Sequence, residues 1–261
     1  MHAILEGENK MSIIIYCHQR SGSQLLTTTL DSHPDIKIAS EAQFLLEQTP
    51  AEYFKTRNDK KKPQFTRNKM SVEGWISMLG PNEGCNVKYN QISNILSLSP
   101  EKNKIIHLVR TNILNTVVSD LINKSKKRWG IEAHIYKEDN QTYKNSISEK
   151  DYRARYPEKI NIPTQIVKSH YNKIKNNIML NHAALLEYSE NVLTVHYEDL
   201  LGNSNQVEDH LNPEAISKIC NFLEISNKHI LTVGTKKTGK NLKKFVENYK
   251  DLQHLDYRIK L

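Results

Sequence analysis

Residues Ser12–Cys17 (SIIIYC) form an apolar run that ends abruptly in the turn-forming RSGS and a helix-like stretch, Gln24–Asp31. A strand with no polar alternation is buried on both faces, and that belongs in a parallel sheet covered by helices. The rest of the chain keeps the same rhythm. Ile36–Ala39, Asn86–Tyr89, Lys104–Val109 and Val192–Tyr197 read as further strands. Val72–Leu79, Gln91–Leu98, Ile113–Lys127 and Ser169–Tyr188 read as helices, and Asn212-Pro213 opens another as N-cap and first-turn proline. Alternation of this kind predicts an α/β fold of three layers, a central, mostly parallel sheet flanked by helices. Two segments break the rhythm: residues 55–69 are dense in charge, and 130–163 are polar, rich in Tyr and Lys and without period. The second is expected to be a substrate-side loop. With no repeats and no low-complexity linker, residues 1–261 are expected to form a single domain.

The charge narrows the partners. Lys and Arg number 37 against 29 Asp and Glu, giving a net charge of +8. That favours an anionic ligand, although only 8 of the cations are arginine and the lysines are scattered. No recognised nucleic-acid motif accompanies them. No apolar run approaches the roughly 18 residues of a membrane span. Residues 1–10 lack the pattern of a secretory signal and are expected to be an extension, disordered or non-native, with Met11 as the natural start. Cys17, Cys85 and Cys220 are odd in number and far apart, as expected for reduced thiols in a cytoplasmic protein.

Two motifs carry chemistry. In the first, strand, turn and helix succeed one another through IIIYCHQRSGSQLL. Backbone N–H groups of such a turn, with the positive end of the helix, make an anion cradle. Ser21 and Ser23 add hydroxyls, Gly22 lets the chain approach closely, and Arg20 supplies charge. A kinase-type loop would need a lysine after its glycine, and none is present. In the second motif, Arg110 ends the strand KIIHLV and Ser119 follows nine residues later in a helix. Ligands of open parallel sheets bind outside the strands' carboxyl ends, so Arg110 shares a rim with the first loop. A guanidinium suits a terminal phosphate because it donates two parallel hydrogen bonds.

Taken in order, strand–RSGSxLL, strand–VR with Ser nine positions after the Arg, and strand–YEDL resemble the sulfotransferases that use PAPS (3′-phosphoadenosine 5′-phosphosulfate). The likeness is nearest to the bacterial carbohydrate branch, of trehalose and Nod-factor type. It extends over nearly the whole chain. SHPDIKIASE (32–41) is similar to an "HPDI…GE" segment, NVKYNQI (86–92) to "GxKxMYxQ", and TKKTGKNLKKFVENYKDL (235–252) to a C-terminal nucleotide-closing loop and helix. The resemblance implies a P-loop-like fold and transfer of a sulfuryl group from PAPS to a hydroxyl of a carbohydrate or glycolipid-like acceptor, with PAP released. It implies that Arg20, Ser21, Gly22, Ser23, Gln24 and Leu25 hold the 5′-phosphosulfate. Arg110 and Ser119 would hold the 3′-phosphate, helped by Lys236 or Lys237, and Tyr197 would touch adenine. Two departures stand out: TKKTGK replaces the RKGxxGxWK-type loop of phenol and steroid relatives, and Ser40 replaces the glycine before Glu41.

PAPS carries about four negative charges, which a basic domain attracts. The transferred sulfuryl group carries less charge than a γ-phosphoryl, so no metal is expected. Glu41 is the candidate general base, with Arg20 as catalytic cation; SEAQ (40–43) also fits a helix-capping box. His18 and His170 are alternative bases, and Lys88 is a candidate for the acceptor side by the same likeness. Trp75 reads as a core or loop anchor, and Trp129 could stack on a sugar. The alternatives are a P-loop-type nucleotide kinase or NTPase, a basic nucleic-acid-binding module, and a sulfotransferase-like nucleotide binder without activity. The sequence names neither acceptor nor oligomeric state.

Overall fold

A computed structural model describes residues 11–57, 69–128, 134–136, 146–148, 159, 161–201, 211–226, 243 and 246–261. Its strands are β1 (Ser12–Cys17), β2 (Lys37–Glu41), β3 (Glu83–Lys88), β4 (Asn103–Val109), β5 (His134–Tyr136), β6 (Ser146–Ser148) and β7 (Val192–His196). Five of them form one sheet in the order β2-β3-β1-β4-β7, with every neighbouring pair parallel. The SIIIYC run takes the centre, where both of its edges are paired and all six residues are buried. β5 and β6, inside the aperiodic stretch, pair parallel as a separate ribbon.

The helices are α1 (Ser23–Asp31), α2 (Pro50–Thr56), α3 (Val72–Ile76), α4 (Ile113–Arg128), α5 (Thr164–Leu185), α6 (Tyr197–Leu200), α7 (Pro213–Leu223) and α8 (Tyr249–Leu252). Strand alternation sorts the core onto two faces. Ile13, Ile15 and Cys17 pack with Leu26 and Leu30 of α1 and Ile216 and Ile219 of α7. Ile14 and Tyr16 point the other way, toward Trp75 of α3 and Leu185 of α5. A third cluster joins Ile113 and Val117 of α4 to Val167, Tyr171 and Ile174 of α5 and to Leu252 and Ile259 near the C-terminus. This is the three-layer, P-loop-like α/β arrangement, with β1 leading through a tight loop into α1.

The main differences from the sequence reading have local causes. Gln91–Leu98 is not one helix but two 3-10 turns, Tyr89–Gln91 and Ile95–Leu98. The Gln91 side chain accepts from the Lys88 backbone N–H, and Asn94 caps the second turn by accepting from the Leu96 N–H. Both bonds are short-range alternatives to a continuing helix. Helix α5 starts five residues before Ser169, because Val167 and Tyr171 extend the apolar stripe of Ile174 and Ile178. The sequence reading contained no α2, which Thr49 and Glu52 open as a capping box with Pro50 in the first turn. Tyr197 starts a helix rather than ending a strand: YEDL is α6.

Candidate active site

Because the sheet is parallel, the carboxyl ends of its strands form one rim, and the five strands of the main sheet each deliver a candidate residue there. The loop Arg20-Ser21-Gly22 follows β1, Glu41 ends β2, Lys88 ends β3, Arg110 follows β4 and Tyr197 follows β7. The loop is tightly wound. Arg20 and Gly22 both take left-handed backbone angles, φ 66° and 86°. Gly22 O accepts from the Leu25 N–H at 3.0 Å as α1 begins. A Cβ on Gly22 would overlap Cδ2 and Cε2 of Tyr197, so the tyrosine ring lies directly on the loop. The ring also stacks under the Arg110 guanidinium, 5.1 Å from its centroid.

The structure brings the two motifs together. Arg20 Nε donates to Ser119 Oγ at 3.3 Å, and Arg110 donates to the Arg20 carbonyl, also at 3.3 Å. Burial pushes the Arg110 pKa down; Tyr197 and Glu198 act against that and the Arg20 charge adds to it. Burial likewise lowers the Arg20 pKa, opposed by Asp120 and Glu41. Two desolvated guanidiniums side by side repel one another, and an anion between them relieves both penalties. Glu198 is committed elsewhere: it accepts from the N–H groups of Thr111 and Asn112 and from the Thr111 hydroxyl, holding the chain that carries Arg110.

Lys88 is the residue whose weight the sequence reading understated. Its side chain is only 3% exposed, and Nζ donates to Ser23 Oγ, to Asn86 Oδ1 at 3.2 Å and to Cys17 Sγ at 3.4 Å. Glu41 Oε1 lies 3.7 Å away, making an ion pair. Strand alternation explains the set, since Asn86 and Lys88 share one face of β3, and Cys17 is the register partner of Lys88. Asn86 Nδ2 also donates to Ser23 Oγ, at 2.9 Å. With two bonds accepted, the Ser23 hydroxyl keeps its own proton for a group in front of the loop.

Glu41 takes no part in a capping box: it is itself the residue before the Ala42–Phe44 turn and makes no side-chain cap. Its Oε2 accepts from Gln43 and Gln91 at 3.1 and 3.3 Å, so amides and Lys88 hold the carboxylate on the rim. His18 and His170 fall together in a cleft of about 420 Å³ beside the loop. Burial lowers the His18 pKa, and Asp120 opposes this. Gln24 and Leu25 lie in the first turn of α1, and Trp75 is fully buried and donates to the Gln48 carbonyl. Trp129, Lys236 and Lys237 lie outside the described residues. Among the described residues, no group of three or more His, Cys, Asp or Glu is placed to hold a metal ion, and no helix is long and apolar enough to cross a membrane.

Two solved structures are similar to this chain. A mouse sulfotransferase, SULT7A1, complexed with PAP is 15% identical with a TM-score of 0.38; the likeness covers 83% of this chain and 60% of the mouse chain, less than two thirds of it. The sulfotransferase domain of the Synechococcus PCC 7002 olefin synthase is 15% identical with a TM-score of 0.40, over 96% of this chain and 95% of that domain. No match is found among curated protein sequences. Residues 12–122, from β1 into α4 and through both motifs of the rim, match the model of the sulfotransferase family.

Proposed function

We propose that this chain is a single-domain PAPS-dependent sulfotransferase that moves a sulfuryl group to a hydroxyl of a carbohydrate or glycolipid-like acceptor and releases PAP. One observation carries the reading: the Arg20–Ser119 and Arg110–Arg20 bonds join a 5′-side loop and a 3′-side arginine into one cationic site. The family match over residues 12–122 supports it. In this reading Arg20, Ser21, Gly22, Ser23, Gln24 and Leu25 receive the 5′-phosphosulfate, while Arg110 and Ser119 receive the 3′-phosphate. Lys236 or Lys237 helps hold the 3′-phosphate, and Tyr197 orders Arg110 and lies against the adenine side.

The chemistry is an in-line displacement at sulfur. The acceptor oxygen bonds to sulfur as the bond from sulfur to the bridging oxygen breaks, and PAP leaves with that electron pair. Arg20, Ser23 and Lys88 stand where charge builds on the bridging and equatorial oxygens. Glu41 takes the acceptor's proton. A kinase reading wants a lysine after Gly22, where the chain has Ser23-Gln24.

Calorimetric titration with PAP, AMP and ADP tests the assignment. A charge-assisted bond to the 3′-phosphate is worth about 1.5–3 kcal/mol, so PAP should bind roughly 10- to 100-fold tighter than AMP. Arg110→Ala should erase most of that difference. Equal affinities for PAP and AMP in the parent protein would refute the site.

A further inference from the structure

Arg110 is joined to α4 by only two residues, Thr111 and Asn112, and both are bonded from two sides. From α6, Glu198 accepts from both of their N–H groups and from the Thr111 hydroxyl. From the C-terminal segment, the Ile259 N–H donates to the Thr111 carbonyl at 3.0 Å, and Arg258 forms an antiparallel bridge with Asn112. The Asn112 side chain faces both ways. Its Oδ1 accepts from the Asn115 N–H at 3.1 Å, the N-cap bond of α4, while its Nδ2 donates to Asp256 Oδ1 at 2.7 Å. The second oxygen of Asp256 accepts from the Tyr249 hydroxyl. That bond, with burial and the carboxylate charge adding to it, pushes the Tyr249 pKa up to about 12, so the phenol stays a donor. Lys243 lies over the Tyr249 ring, 5.6 Å from its centroid. Ile259 and Leu252 are buried with Ile113 and Val117 of α4, so these polar contacts stand on an apolar base.

Resting on the sulfotransferase reading, we propose that Asp256 is a positioning residue for recognition of the 3′-phosphate, setting Arg110 and Ser119 as one unit through Asn112. A carboxylate accepts and never donates, so Asp256 selects the one amide orientation in which Asn112 Oδ1 caps α4. Ser119 rides on that helix and Arg110 precedes its cap by two residues, so both anion-binding groups follow the position of Asn112. The 5′ side is carried separately, by β1, Gly22 and the start of α1. Hydrogen bonds from a guanidinium weaken steeply once it is misaligned. Loosening Asn112 therefore costs contacts to a 3′-phosphate and spares those to a 5′-phosphate.

The test is calorimetric titration of the full-length protein with PAP and with AMP, alongside Tm. The parent should prefer PAP roughly 10- to 100-fold, and equal affinities there would refute the reading of the site and this inference with it. Given that preference, Asp256→Ala should lower the PAP-to-AMP ratio roughly 3- to 10-fold, with AMP affinity held within about 2-fold. Asp256→Asn should restore the parent ratio, because its amide accepts from Asn112 and donates to the Tyr249 oxygen. Tyr249→Phe keeps the ring against Lys243 but removes one bond to the carboxylate, and it should lower the ratio by about 2-fold or more; it carries the test if Asp256→Ala does not fold. Arg258→Ala removes an exposed ion pair with Asp199, keeps the backbone bridge, and should leave the ratio unchanged. A merely structural role would lower Tm and weaken both nucleotides alike. That result, an unchanged ratio in both Asp256→Ala and Tyr249→Phe, or an Asp256→Asn variant as impaired as Asp256→Ala, would overturn the proposal while leaving the sulfotransferase reading in place.

Discussion

Gly22→Ala tests whether the tyrosine of YEDL and the loop after β1 form one packed unit. Two costs follow from the structure. The residue sits at φ 86°, where an alanine pays about 1–2 kcal/mol for a left-handed backbone. Its new Cβ would overlap two carbons of the Tyr197 ring, which is 8% exposed and wedged against Arg110, and overpacking of this kind costs about 1–3 kcal/mol. The sum, roughly 2–5 kcal/mol, should lower Tm by about 5–15 °C in a protein of this size. The decisive experiment is a double-mutant cycle with Tyr197→Leu, read by urea unfolding. Without the ring only the backbone cost remains, so the two substitutions should couple by about 1–3 kcal/mol. PAP affinity should fall in Gly22→Ala because the displaced ring unseats Arg110. A coupling below about 0.5 kcal/mol, or a Tm within 2 °C of the parent, would refute the packing argument.

Three further outcomes are expected. Glu41→Gln should fold normally and bind PAP as the parent does, while transfer to a hydroxyl acceptor slows about 10²- to 10⁴-fold; a rate within a few-fold would move the search to His18 and His170. Burial, with smaller contributions from His182 and His196, pushes the His107 pKa down to about 3, so the unfolded chain binds a proton there that the folded chain does not. Stability from this group is therefore fully present above about pH 6.5 and lost as pH falls toward 3, by up to roughly tenfold in the folding equilibrium per pH unit. Urea midpoints from pH 7 to 4.5 should fall less steeply in His107→Gln, and parallel slopes would count against this role for the buried ring. Transfer from labelled PAPS should survive EDTA; loss with rescue by magnesium would favour the NTPase alternative.

Sequence legibility followed the range over which each interaction is specified. β1, the start of α4 and the capped start of α7 are written in contiguous residues, and they lie where the pattern puts them. The joining of Arg20 to Ser119 was implicit in the rule that parallel strands share a ligand rim. What local pattern could not supply was the interior of the site. Lys88 sits at the end of a weak strand, and only the register of β3 against β1 turns it onto Cys17 and Ser23. The useful signal was Asn86 and Lys88 two residues apart, a polar pair on one face of an otherwise buried strand. Glu198 was quoted as part of a motif, yet its bonds to Thr111 and Asn112 exist only once β4 and β7 are neighbours.

The stretch after Arg110 is completed from far along the chain. Asn112 pairs with Arg258 in an antiparallel bridge, the Ile259 N–H bonds to the Thr111 carbonyl, and Asn112 Nδ2 donates to Asp256. During synthesis the central strands emerge long before these partners do. A nascent chain halted before residue 256 can pair β1, β3 and β4 yet leaves the support of the arginine's loop unfinished. Contacts of such sequence separation are costly to close and form late. The loop that carries Arg110 is therefore completed only when residues 256–259 reach a sheet whose strands β1, β3 and β4 are already available to pair.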